Sequence, residues 1–322
     1  MQQWGITSAG LERRIRARFP VLRLLQAFLP LRPANWLNSQ GLRRARLPAD
    51  IAREDVVADG VPCVWIRPQG ARIDQVLLYF HGGGFVFGLT PLHVEMVAAL
   101  TQRMRVPALL VDYRVAPSHP FPAALDDCVI VYHWLIGQGV PARNIVLGGD
   151  SAGANLTLTT MMRLRDSGEE LPAGAACLSP VGRLTDNRPI SPRSRDPLLP
   201  ARALRTYCRS YVGSNNAHNP LISPLLGDWH GLPPLLVHAG EDEILRRDAV
   251  DIADAAAGAA VDVRLEISPR MWHVWQLYPQ LPQAAASLDD IAGFFRALRR
   301  ATKPHAVVVA EQEGRPRDPD SR

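Results

Sequence analysis

The sequence predicts an α/β fold, with a mostly parallel central sheet covered on both faces by helices. Three observations carry this reading. Short apolar runs of strand character alternate with helical segments from about residue 60 to residue 300. The run QVLLYF at 75–80 is apolar almost without interruption, as a strand buried on both faces must be. Glycine-rich stretches follow directly on two of the strand-like runs, HGGGF at 81–85 and GDSAG at 149–153.

The elements follow in order. Residues 11–29 carry Leu11, Ile15, Phe19, Leu22, Leu25 and Leu29 at helical spacing, and Pro20 is expected to split them into two short helices. A connector bearing proline and arginine follows, and nothing before residue 50 reads as a strand. Strands are expected at 61–67, 75–80, 107–111, 144–148, 175–179, 234–238 and 261–267, and helices at 91–104, 122–137, 152–165 and 284–300. Residues 183–232 break the rhythm with prolines, serines and arginines around one expected helix at 201–212, which marks an insertion between two strands. The polar, proline-bearing tail at 301–322 is expected to be disordered.

Composition narrows the function classes. A chain of 322 residues suits one large α/β domain with appended segments. Its net charge is +5, but the arginines are scattered and no aromatic-interleaved basic stripe or nucleic-acid motif appears, so no nucleic-acid partner is expected. No apolar run approaches the roughly 18 residues of a membrane span, so no stable membrane insertion is expected. The N-terminal stretch lacks the apolar core of a secretory signal. Cys63, Cys128, Cys177 and Cys208 lie far apart without metal-site spacing, which points to reduced, buried thiols in a cytoplasmic protein. No cofactor and no metal are called for.

The chemistry is concentrated in a few residues. Gly149-Asp150-Ser151-Ala152-Gly153 stands between a strand and a helix, the context in which a G-x-S-x-G serine projects from a sharp turn as a nucleophile. His81-Gly82-Gly83-Gly84-Phe85 follows strand 75–80, and its glycines free the backbone to aim N–H groups at one point. With the N–H of Ala152, those of Gly83 and Gly84 would form an oxyanion hole. A phosphate-cradling loop is the rival reading, and it fails because no Lys-Ser/Thr follows. A serine nucleophile needs a base, and the base an orienting carboxylate, in the chain order serine, acid, histidine. His273 is the only histidine between the last strand and the final helix, and Glu241, Asp242 and Glu243 form a carboxylate cluster after strand 234–238. Residue chemistry alone leaves the choice among those three open.

Assembled, these residues resemble the hormone-sensitive lipase family of the α/β-hydrolase fold, in its bacterial esterase branch with the GDSAG motif. The resemblance spans residues 50–300 and rests on HGGGF at 81–85, DYRVAP at 112–117, HPFPAALDD at 119–127, GDSAGAN at 149–155, NPLISPLL at 219–226 and GEDEIL at 240–245. It implies Asp242 as the acid, beside Ser151 and His273. It also implies a helical cap built from residues 1–45 and 183–232 over a core of 50–182 and 233–300. Where the family usually carries a glutamate this chain has Ser118, so any ion pair made there is absent or replaced. The implied activity is hydrolysis of a small, short-acyl carboxylic ester, with lactone opening as the alternative and homodimerisation open. A receptor on the same fold, of the kind that has lost its histidine, is disfavoured by His273.

Overall fold

A computed structural model describes residues 8–28, 45–72, 74–185 and 196–302 of the chain. Eight strands run β1 (Ile51–Ala58), β2 (Val61–Pro68), β3 (Val76–Phe80), β4 (Ala108–Val111), β5 (Ile145–Asp150), β6 (Ala175–Leu178), β7 (Leu235–Gly240) and β8 (Val263–Ser268). The helices of the described residues are α1 (Ser8–Arg16), α2 (Phe19–Phe28), α3 (Pro91–Met104), α4 (Ala123–Gly137), α5 (Ala152–Asp166), α6 (Ala201–Val212), α7 (Arg246–Gly258) and α8 (Pro282–Thr302). The strands form one sheet in the order β1-β2-β4-β3-β5-β6-β7-β8. β2 is antiparallel to both β1 and β4, and every other pairing is parallel.

The period of two along β3 explains why both faces must be covered. Leu77 and Tyr79 face one cluster with Val94, Val97 and Leu100 of α3 and Leu288 and Phe295 of α8. Val76, Leu78 and Phe80 face the opposite cluster, filled by α4, α5 and α7 through residues such as Leu125, Leu156 and Ile252. All five residues of β3 are buried, as the apolar run requires.

Strand order reverses around β3, which has β4 on one side and β5 on the other. Loops leaving the carboxyl ends of β3 and β5 therefore diverge and leave a crevice, the general place for a ligand in such sheets. Phe80 pairs with Gly149, Asp150 with Leu178, and Gly240 with Ser268, so the candidate segments all leave the sheet at one edge.

The expected strands and helices are present, with ends shifted by a few residues. Two elements were not expected. β1 is an edge strand whose sequence IAREDVVA buries little of itself, so no apolar run announces it. α7 has an apolar side made largely of alanines, too weakly apolar to stand out. The N-terminal helices do separate, but at Ala17–Arg18. Pro20 falls in the first turn of α2, where a missing N–H costs nothing. Residues 29–44 and 303–322, with most of the connector and the tail, lie outside the described residues.

Among the described glycines, the tightest approach is between α5 and β3. A Cβ on Gly153 would overlap the Phe80 carbonyl oxygen, a backbone atom that cannot swing away. Gly153→Ala is expected to cost about 3 kcal/mol of stability, the upper part of the range for overpacking. Urea unfolding checks this, and a cost below about 1 kcal/mol would show that the approach is not tight.

Candidate active site

Ser151 sits between β5 and α5 at φ 52°, ψ −114°, a left-handed conformation that costs a serine about 1–3 kcal/mol. The surrounding chain holds it there, since its N–H donates to the Leu178 carbonyl of β6 (2.8 Å) and its carbonyl accepts from Asn155 N–H (3.2 Å). The strained turn throws the side chain out of the sheet edge. His273 arrives from the loop after β8, and its Nε2 lies 2.9 Å from Ser151 Oγ. Both residues are buried, at 6% and 7% exposure, at the floor of one cavity.

Gly83 and Gly84 line the same cavity. Both have positive φ, 119° and 60°, and a Cβ on Gly84 would come within 2.6 Å of the Tyr207 ring. Asp150 holds the loop from below. One of its oxygens accepts from Tyr79 Oη (2.8 Å) and Gly82 N–H (3.0 Å), and the other lies 3.4 Å from His93 Nε2. Burial alone would raise the Asp150 carboxyl, but His93, Tyr79 and Gly82 outweigh burial and hold it below the usual carboxylate range. His93 Nδ1 accepts from Thr90 N–H (3.3 Å), which places the ring proton on Nε2, toward Asp150. His81 begins the loop and packs against its base. Its ring stacks on Tyr113 at 4.2 Å, its Nδ1 lies 2.6 Å from Gly82 O, and its own carbonyl accepts from Tyr113 Oη (2.7 Å).

The three carboxylates after β7 take different places. Glu241 Oε2 accepts from Arg270 N–H (3.0 Å) at the surface. Glu243 is buried and accepts from Ser179 Oγ and Gly240 N–H. Asp242 lies between them, its N–H on the Met271 carbonyl (3.1 Å), two residues before His273.

The cavity has a volume of about 240 Å³, below the roughly 300–1,000 Å³ of pockets for drug-sized ligands. The wall supplied by the segment between β6 and β7 is Leu198, Leu199, Leu204, Tyr207 and Cys208. Asp196 anchors that wall through residues that the sequence did not single out. Its side chain accepts from Leu198 and Leu199 N–H and, across the rim, from Ile244 N–H (3.0 Å). Asn155 explains the last letter of GDSAGAN, since its Nδ2 donates to the carbonyls of Val181 (2.8 Å) and Ile222 (3.1 Å). The described side chains of α1 and α2 contribute nothing to the cavity wall. They pack on the loop that carries His273. Phe19 meets Trp272 edge to face at 5.2 Å, and the Arg16 guanidinium lies over the Trp272 ring at 4.7 Å.

A second serine–histidine–carboxylate group exists outside the cavity. His238 of β7 has Nδ1 2.8 Å from Ser287 Oγ and Nε2 2.9 Å from Asp290 Oδ2, both on α8. The thiols of Cys63 and Cys177 are weak nucleophile candidates, because burial pushes them up to about 12 and leaves them protonated. Among the described residues no cluster of His, Cys, Asp and Glu is placed to hold a metal ion. None of their helices is long and apolar enough to cross a membrane.

A family model for the α/β hydrolase fold matches residues 77–277. An acetyl-hydrolase from Streptomyces hygroscopicus is 37% identical over 88% of this chain and 97% of its own. A solved esterase of the bacterial hormone-sensitive lipase family is 37% identical with a TM-score of 0.79, covering 88% of this chain and 97% of that one. The chain belongs to the α/β-hydrolase family, in its hormone-sensitive lipase branch. An esterase from Acinetobacter venetianus, 34% identical over 74% of this chain and 84% of its own, is a further relative. This α/β hydrolase is a serine ester hydrolase.

The buried histidine of the hydrolase's glycine loop makes its stability depend on pH. Burial, with a smaller push from His93, lowers His81 from 6.5 to about 3. Between those values the unfolded chain binds one proton more than the folded one, so this contribution is complete above pH 6.5 and is lost as pH falls toward 3. The expected slope is about 1.4 kcal/mol per pH unit. His81→Asn should flatten the dependence of unfolding free energy on pH by that amount between about pH 5.5 and 4. Urea unfolding at several pH values tests this, and parallel slopes for the two proteins would refute it.

Proposed function

We propose that the protein is a carboxylesterase for small, short-acyl esters, working through Ser151, His273 and Asp242 and an acyl-enzyme intermediate. The observation that carries the proposal is the 2.9 Å approach of His273 Nε2 to Ser151 Oγ at the floor of a small, largely apolar cavity. The positions of Glu241 at the surface and Glu243 beneath Ser179 support Asp242 as the third member. The acetyl-hydrolase and esterase names of the relatives point the same way.

In this reading Ser151 Oγ attacks the ester carbonyl while His273 Nε2 takes its proton. Asp242 orients the imidazole and stabilises the imidazolium. The N–H groups of Gly83, Gly84 and Ala152 receive the developing oxyanion, and hydrogen bonds aimed at charge that appears only in the transition state raise kcat. His273 protonates the leaving alkoxide, and the alcohol departs. A water then gives its proton to His273 and attacks the acyl carbonyl, Ser151 regains its proton, and the carboxylic acid leaves. Leu198, Leu199 and Leu204 offer apolar surface to the acyl chain.

Two tests bear on the machinery and one on the substrate. Ser151→Ala is expected to fold, to lose roughly 10⁶-fold in kcat as in a comparable triad enzyme, and to escape fluorophosphonate labelling. Asp242→Asn should lower kcat by roughly 10⁴-fold, whereas Glu241→Gln should stay within about threefold of wild type, as for an exposed side chain. Reversal of those last two would move the acid to Glu241. A panel of p-nitrophenyl esters and lactones reads the substrate. Acetate to butyrate should give the highest kcat/KM, and equal efficiency on decanoate or preference for lactones would overturn the short-acyl assignment.

A further inference from the structure

We infer that Ser179, oriented by the buried carboxyl of Glu243, is a positioning residue that sets the loop of His273 against the turn of Ser151. The inference rests on the reading of His273 as the base. It starts from two consecutive residues at the carboxyl end of β6. The Leu178 carbonyl accepts the N–H of Ser151 (2.8 Å), and the next side chain, Ser179 Oγ, accepts the N–H of Val274 (3.1 Å). One dipeptide thus fixes the backbone of the candidate nucleophile and, through the neighbour of His273, that of the base.

Both partners in the second bond are in demanding conformations. Ser179 has φ 49°, and Val274 has φ 50°, ψ 53°, a left-handed geometry that a β-branched residue adopts at a cost. A free loop would relax out of it. The bond to Ser179 opposes that relaxation, and relaxation at Val274 would rotate the peptide that follows His273. Misplacing a reacting group by about 1 Å is enough to lose roughly 10²-fold in rate.

Glu243 decides which way the Ser179 hydroxyl points. The hydroxyl has one proton, and it goes to Glu243 Oε2 at 2.7 Å, which turns a lone pair toward Val274. Glu243 Oε2 also accepts from Gly240 N–H (2.9 Å), while its other oxygen is buried with no hydrogen-bond partner among the described atoms. Burial raises the carboxyl well above its ordinary range, against the lowering by Ser179 and Gly240, and nearby Asp196 and Asp248 add to the rise. The neutral acid is therefore favoured, and glutamine is its close isostere. A buried carboxyl with an orphan oxygen is a poor stabilising element beside a leucine of similar volume. The arrangement makes sense as orientation of a hydroxyl.

The test compares Ser179→Ala, Glu243→Leu, Glu243→Gln and the double variant Ser179→Ala/Glu243→Leu with wild type and His273→Ala. The readouts are kcat and KM on p-nitrophenyl butyrate and thermal stability. Ser179→Ala and Glu243→Leu are each expected to lower kcat roughly 10- to 100-fold with KM within about twofold. The double variant should be no worse than Ser179→Ala alone, because the two side chains act as one unit. Glu243→Gln keeps the acceptor and should recover kcat to within about threefold. Should Glu243→Leu fail to fold, Ser179→Ala, which removes a single hydroxyl, and Glu243→Gln carry the comparison. If Ser179→Ala keeps full kcat while His273→Ala is inactive, the positioning role is wrong and the base assignment stands. If His273→Ala retains activity, the base assignment itself falls. A fall in thermal stability with unchanged kcat would reduce Ser179 and Glu243 to structural residues.

Discussion

The hydrogen bond from Ser151 N–H to the Leu178 carbonyl is the contact on which the site depends. It holds a serine in a backbone geometry that serine does not favour, at the place where β5 must become α5 within one residue. That turn is possible only because α5 lies almost against β3, with no side chain at Gly153 to keep them apart. Close packing of α5 also brings the start of the helix, with the Ala152 N–H, beside the loop that leaves β3. Strain, close approach and the position of the Ala152 N–H are thus a single constraint. The sheet supplies the rigidity that the constraint needs, since β5 pairs with β3 on one side and β6 on the other.

Parts of the site that are local in the chain were legible in the sequence. GDSAG and HGGGF announce themselves because the turn geometry demands glycine within a few residues of the functional atom. The strands and helices around them were legible from apolar runs and periodicity, as in β3, where all five residues are apolar or aromatic and buried. β1 and α7 escaped because an exposed edge strand and an alanine-faced helix bury too little to impose a pattern. Ser179, Asp196 and the Asp150 partner His93 escaped for a different reason. Their roles come from neighbours on other strands, such as Ser179 and Glu243, 64 positions apart. Parallel pairing joins such residues only through long crossovers, and no local spacing records that adjacency. The choice among Glu241, Asp242 and Glu243 is of the same kind, because burial and partner separate residues that are adjacent and chemically alike.

The group formed by His238, Ser287 and Asp290 shows what the residue types alone are worth. It has hydrogen bonds as short as those at Ser151, yet it lies between β7 and α8 and borders none of the cavity. Its serine sits inside a helix, with no strained turn to expose it and no glycine loop opposite. Asp290 is further committed to Arg264, and the His238 hydrogen bond, aided by Arg264, holds its carboxyl down to about 2 against burial. Such a group locks a helix onto a strand. Ser151 differs by its cavity and its backbone, and the hydrogen bond to histidine is common to both.

The packing of α1 and α2 on Trp272 bears on how this protein could be remodelled. A segment that only roofed a cavity could be exchanged for a relative's to change which esters fit. Here α1 and α2 border none of the cavity and are seated on the residue that precedes His273, through Phe19 and Arg16. Any graft that alters those two side chains changes the support of that loop, although neither side chain borders the cavity. A chimera designed for a new ester range would have to carry the Phe19–Trp272–Arg16 contact across intact, or exchange both of its sides together.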